Sequence, residues 1–133
     1  MKHLLLSLLV FVVASCGDEA GYKPAADAQD AGREFIRASL DGDMKKAGYY
    51  LARDSANIYI FNKFRNQYEQ LSPDEKRQYR EAQIRPIKIE KINDSVVDYI
   101  YSNSYKQKDT TVIKIIKQNG EWLVDLKELR SKE

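Results

Sequence analysis

The feature that most constrains this chain is a change of hydrophobic period near Pro86. Before it, apolar residues recur every three or four positions, as on one side of a helix; after it they alternate, as on a strand with one face covered. Helices followed by hairpin-linked strands argue an α+β domain, with N-terminal helices packed on one face of a four-stranded antiparallel sheet.

The helical half divides at its own stop and start signals. Ala28, Ala31, Phe35 and Ala38, flanked by Ile36 and Leu40, predict a first helix that ends at Asp41-Gly42. Asp43 can cap a short second helix carrying Met44, Ala47, Tyr50 and Leu51. Ile58, Phe61, Phe64, Tyr68 and Leu71 predict a third helix with an aromatic stripe, running to about Leu71. Ser72-Pro73-Asp74-Glu75 combines a capping serine, a proline where no amide partner is needed and a glutamate that reaches back, so a fourth helix runs to about Gln83.

In the strand half, Asn93-Asp94 and the polar stretch from Lys106 to Asp109 turn the chain. Asn119-Gly120 is a hairpin signal, because both residues tolerate the positive φ of a type I′ turn. The alternation assigns Ile87, Ile89, Val97, Tyr99, Tyr101, Ile113, Ile115, Trp122 and Val124 to the covered face, since a slip of one residue would expose the whole set.

The run Leu40-Asp41-Gly42-Asp43 after a helix, then Lys45-Lys46-Ala47, and the final Asn119-Gly120-Glu121-Trp122-Leu123-Val124-Asp125 carry a resemblance. They are similar to small bacterial lipoproteins, of the Bacteroidetes type, with a nuclear-transport-factor-two-like or cystatin-like domain. The resemblance covers Ala26 to about Leu126 and implies a cone, in which a curved sheet wraps a helix and leaves a cavity. Isomerases, dehydratases and non-catalytic binding domains share that fold, so it does not choose among them.

The amino terminus reads as an export signal: charge at Met1-Lys2-His3, then an apolar run from Leu4 to Ala14 interrupted by Ser7. Such a run is too short to span a bilayer, which takes roughly 20 apolar residues. Val13-Ala14-Ser15-Cys16 resembles the bacterial lipobox, in which the cysteine thiol receives diacylglycerol and the new amino terminus an acyl chain such as palmitate. The plain alternative is a buried signal anchor or an ordinary signal peptide with an accidental cysteine. Against it, Cys16 is the sole cysteine and would be a reactive thiol in an oxidising compartment. The expected division is therefore a signal peptide at 1–15, a flexible tether at 16–25 beginning with lipidated Cys16, and one domain at 26–129. Gly17 stands where aspartate commonly retains lipoproteins in the inner membrane, which implies the outer membrane. Asp18-Glu19 resembles an acidic surface-export signal and reads equally as a solvated linker.

His3 is the only histidine and leaves with the signal, and Cys16 is taken by lipid. The remaining residues offer no Ser-His or Cys-His nucleophile system, no Cys/His zinc cluster and no Gly-rich phosphate loop. Neither a cofactor nor a metal is expected. Basic and acidic residues are mixed, with a formal net charge of +2, so no nucleic-acid patch is expected either.

Carboxylate and tyrosine pairs remain as candidate chemistry: Asp98 with Tyr99 or Tyr101, and Asp54. Alternation turns Asp98 away from both tyrosines, as a solvated strand aspartate, and Asp54 suits a helix cap. Tyr50, Tyr59, Phe64, Tyr99, Tyr101 and Trp122 are the candidate ligand-binding set, against the reading that they are core. The sequence thus favours a lipid-anchored envelope binding or interaction module without catalytic machinery, for a protein or small-molecule ligand that the residues do not name. The alternative is a small-molecule isomerase, dehydratase or hydrolase using Asp and Tyr in the cone.

Overall fold

The computed structural model describes residues 21–132. The expected signal peptide, Cys16 and the first part of the tether lie outside the described residues. Among the described residues four helices are followed by four strands: α1 (Ala28–Asp41), α2 (Met44–Tyr49), α3 (Ser55–Glu69), α4 (Pro73–Glu81), β1 (Ile84–Asn93), β2 (Val96–Asn103), β3 (Thr110–Gln118) and β4 (Glu121–Lys132). The strands form one antiparallel sheet in the order β1-β2-β3-β4, giving the α+β arrangement that the change of period argues.

Each helix begins at a side chain that accepts an otherwise unpaired amide. Asp27 takes the Asp30 amide at 2.7 Å, Asp43 the Lys46 amide at 3.0 Å and Asp54 the Asn57 amide at 3.0 Å. Ser72 and Glu75 form the reciprocal capping box, at 3.2 and 2.8 Å. Gly42 ends α1 in the left-handed region, φ 76°, where a residue without Cβ carries little strain. The C-terminal end of α4 is closed from outside: the Arg37 guanidinium donates to the carbonyls of Ala82 (2.6 Å) and Arg80 (3.0 Å) while pairing with Asp41 at 2.8 Å.

Helix α1 lies on the inner face of the sheet through Ala28, Ala31, Gly32, Phe35 and Ile36, all buried. A Cβ at Gly32 would stand 3.0 Å from the Tyr99 ring and 3.3 Å from Ile115 Cδ1, so glycine here sets how closely helix and sheet approach. Val97, Tyr99, Ile113, Ile115, Val124 and Leu126 complete the core from the sheet side. The β4 edge is partly covered: Val124 donates to Tyr50 O at 2.7 Å and receives the Ala52 amide at 2.9 Å, as a parallel bridge.

The register of Tyr99, Ile113, Ile115 and Val124 is as the alternation assigns it. Two members of that set are not covered: Ile87 is 58% exposed and Ile89 is 39% exposed. β1 is an edge strand with register shifts between Pro86 and Lys88 and between Lys91 and Asn93. Such irregularities re-aim side chains and twist an edge away from its cover, and of the β1 isoleucines only Ile84 packs on the core. Trp122 is half-buried against the core, with the Lys117 ammonium 5.6 Å from the indole centroid.

The opposite face is not simply polar either. Ile100, Val112 and Leu123 are buried there, beside Asp98 and Asp125. In register, Lys88 stands next to Ile100 and Arg130 next to Val112, and the alkyl stems of such residues cover apolar surface while their charges stay wet.

Strand β4 continues past Leu126 to Lys132, but not evenly. Two steps along β3, from Lys114 to Val112, correspond to five along β4, from Asp125 to Arg130. The Leu126 amide, displaced from the ladder by this bulge, is taken by Asn57 Oδ1 at 2.7 Å. Asn57 is wholly buried and also donates to Asp125 (3.1 Å) and Asp54 (2.7 Å). One amide side chain therefore pins the first turn of α3 to the bulge, where an unmet partner would be costly.

Candidate functional site

With its first turn pinned and Phe61 packed 6.2 Å from Phe35, α3 does not close down along its remaining length. Among the described residues Asn57 and Phe61 are the only buried members of this helix, and Phe64, in the expected stripe, is 45% exposed. Between its C-terminal half and the sheet lies a cleft of about 460 Å³.

The cleft has three walls. Phe35, Ile36 and Leu40 come from α1; Phe64, Tyr68 and Leu71 from α3 and the residues just after it; Tyr101, Ile113, Leu126 and Leu129 from the sheet. Tyr79 of α4 closes one side, its ring 6.5 Å from Tyr68 and 5.0 Å from Tyr105. Leu129 and Ser131 reach this wall because the β4 bulge restores their pairing across from β3, with Ser131 opposite Thr111. Polar groups are sparse: Ser39, Gln67, Asn103, Thr111 and Ser131 touch the space, and Lys106 and Asp109 stand at its exposed rim. Mostly apolar walls with a few placed polar groups are what small-molecule sites are made of.

Tyr101 is a partly buried polar group of the sheet wall. Burial pushes its hydroxyl up to about 12; the Thr111 hydroxyl beside it opposes the rise and neighbouring Tyr99 adds to it. Near neutral pH it is therefore a hydrogen-bond donor and not a base.

The candidate aromatic residues are dispersed. Phe64 and Tyr101 meet in the cleft. Tyr99 is fully buried under α1, and its hydroxyl has no hydrogen-bond partner among the described residues. Tyr50 is core, donating to Lys23 O at 2.9 Å, and burial raises its pKa above the ordinary tyrosine value. Tyr59 is 61% exposed on the outer side of α3 with the Lys63 ammonium 4.8 Å from its ring, and Trp122 lies beside β3 away from the cleft. Leu40, Tyr79 and Leu129 belong to the cleft without a signal of their own in the sequence. Tyr68 carries only the helical spacing it shares with Phe61, Phe64 and Leu71, and a core stripe has the same spacing.

The candidate carboxylates sit elsewhere. Asp54 caps α3, and its hydrogen bonds from Asn57 hold it below the ordinary aspartate value. Asp98 does face away from Tyr99 and Tyr101, but it is buried and not solvated as expected: Oδ2 accepts from Arg130 at 2.7 Å, and Oδ1 has no partner among the described residues. The long strand β4 delivers Arg130 to it, which no local pattern around Asp98 announces. Among the described residues there is no group of three or more His, Cys, Asp or Glu arranged to hold a metal, and no helix long and apolar enough to cross a membrane. Comparison of the chain with family models, with curated proteins and with solved structures finds no match in any of the three.

Proposed function

We propose that this chain is a lipid-anchored module of the bacterial cell envelope, held at the outer membrane through Cys16, that binds a largely apolar small molecule in the cleft between α3 and the sheet without transforming it. The observation that carries the binding reading is the composition of the cleft. Its walls are apolar and aromatic, its inner polar groups are hydroxyls and amides, and its one carboxylate, Asp109, is at the exposed rim. The buried carboxylates, Asp98 and Asp125, are engaged by Arg130 and Asn57 outside it. Proton-transfer chemistry of the isomerase kind needs a base within hydrogen-bond reach of the substrate, and hydroxyl donors such as Tyr101 orient a ligand instead. The Val13-Ala14-Ser15-Cys16 motif supports the anchoring reading.

The test uses the full-length protein in mild detergent and the apolar dye N-phenyl-1-naphthylamine as probe. Saturable binding at one site, weakened about tenfold or more by Ser131→Trp at unchanged melting temperature, is the expected result, since a bulky ring at the mouth removes apolar contact worth more than 1.4 kcal/mol. Binding that is absent, or indifferent to the blocking substitution, would overturn the reading of the cleft. Anchoring is checked by the mass of the mature amino-terminal peptide, which carries acyl chains on Cys16 if the reading is right.

A further inference from the structure

At the start of the described chain, the Tyr22 ring packs tilted against Tyr49 with centroids 5.5 Å apart, and Tyr49 meets Tyr50 edge-on at 5.0 Å. The Tyr50 hydroxyl holds the Lys23 carbonyl at 2.9 Å, so residues 22–25 lie against the domain instead of hanging from it, with Ala25 packed on the core. Around this pair is an open hollow of about 380 Å³ walled by Tyr22, Lys45, Gly48, Tyr49 and Arg53. Lys45 and Arg53 are exposed. Lys45 has no ion-pair partner among the described residues, and Arg53 has one weak partner, Glu121 at 3.4 Å.

We propose that this hollow is a second membrane contact, which docks the domain onto an anionic phospholipid headgroup layer beside its own lipid anchor. The proposal rests on the reading of Cys16 as lipidated. Five residues separate Cys16 from Tyr22, and even fully extended the six steps between them reach only about 20 Å. A domain leashed so closely presents the same face to the leaflet at high effective concentration, and a weak contact then suffices. The face it presents has the chemistry of a membrane interface: amphipathic tyrosine rings beside two exposed cations lining the same hollow. Asp18 and Glu19 on the connecting segment and Glu121 beside Arg53 are repelled by the same leaflet, and Lys23, Lys45 and Arg53 offset them. Arg53 stands two residues before α3, whereas the ligand cleft is lined from the other half of that helix. Docking by the hollow thus leaves the cleft at the far end of α3, away from the contact.

The experiment reconstitutes the full lipidated chain in vesicles and reads how strongly a nitroxide on the lipid headgroups quenches a fluorophore attached through Ser55→Cys, next to the hollow, or through Lys106→Cys, at the cleft rim. Strong quenching at the first position and weak quenching at the second is expected in vesicles containing phosphatidylglycerol. Each cation near an anionic leaflet shifts a contact equilibrium about fivefold, so Lys45→Glu with Arg53→Glu should lower the docked-to-undocked ratio about 25-fold or more, as should replacing phosphatidylglycerol by neutral phosphatidylcholine. Equal quenching at the two positions, or quenching that neither change affects, overturns the proposal while vesicle flotation still shows the anchor in place. Failure to float, with an unmodified Cys16 thiol, overturns the anchoring reading and the docking proposal together.

Discussion

Asn57 Oδ1 accepts the amide of Leu126 at 2.7 Å, from a side chain with no exposed surface. This bond joins a helix to a strand 69 residues further on and fills the place in the ladder that the β4 bulge vacates. Asn57→Ala should therefore cost about 2–4 kcal/mol in urea unfolding, because it strands a buried amide and removes two donations to carboxylates. A loss below about 0.5 kcal/mol, the level of an ordinary surface change, would show that the bulge does not depend on it.

Gly42 ties a helix stop to the cleft. A Cβ there would stand 2.5 Å from the Tyr68 hydroxyl, at a backbone φ of 76°. Gly42→Ala should cost about 1–2 kcal/mol from the left-handed conformation, and it should also push the Tyr68 ring, altering dye binding. Adding Tyr68→Ala should relieve the clash and leave the backbone cost, which a double-mutant cycle separates.

Ile89 separates the alternation read from the sequence from the register observed. As a covered residue it would be costly to replace with a charge; at 39% exposure on an edge strand, Ile89→Lys should change stability by no more than about 0.5 kcal/mol. It should also raise solubility, because a charge on an unpaired edge discourages association. Unfolding in urea and light scattering check the two effects.

Tyr101 sets an alkaline limit. Its ordinary value of 10.0 is raised to about 12 in the folded chain, so above pH 10 the unfolded state ionises first and binds fewer protons than the native state. Stability is then fully present below pH 10 and falls as pH rises towards 12, by up to about 2 kcal/mol from this group. Tyr50 and Tyr99, also raised by burial, add to the fall in the same direction. Tyr101→Phe should flatten the decline between pH 10 and 12, and an unchanged slope would show that the cleft wall leaves this hydroxyl solvated.

Most local structure was legible because its causes are local. Asp43, Asp54 and Ser72 start helices by satisfying amides within one turn, Gly42 stops one, and Asn119-Gly120, at φ of 51° and 79°, makes the hairpin. Each of these needs only a few consecutive residues. The period change at Pro86 likewise sufficed for the α+β class, since it records which faces must be covered. The absence of histidine and of a second cysteine after Cys16 is a matter of residue identity.

The cleft was not legible in this way. Phe61 and Phe64 share one stripe, yet the first is buried and the second 45% exposed, because what separates them is how far α3 stands from the sheet. That distance follows from Asn57 meeting Leu126, from Arg37 holding the end of α4, and from Gly32 letting α1 sink onto Tyr99. The same holds for Asp98, buried against an arginine 32 residues away. Periodicity reports which side of an element is apolar; whether that side meets another surface or stops short of it depends on contacts between residues far apart in the chain, and only the folded structure brings those together.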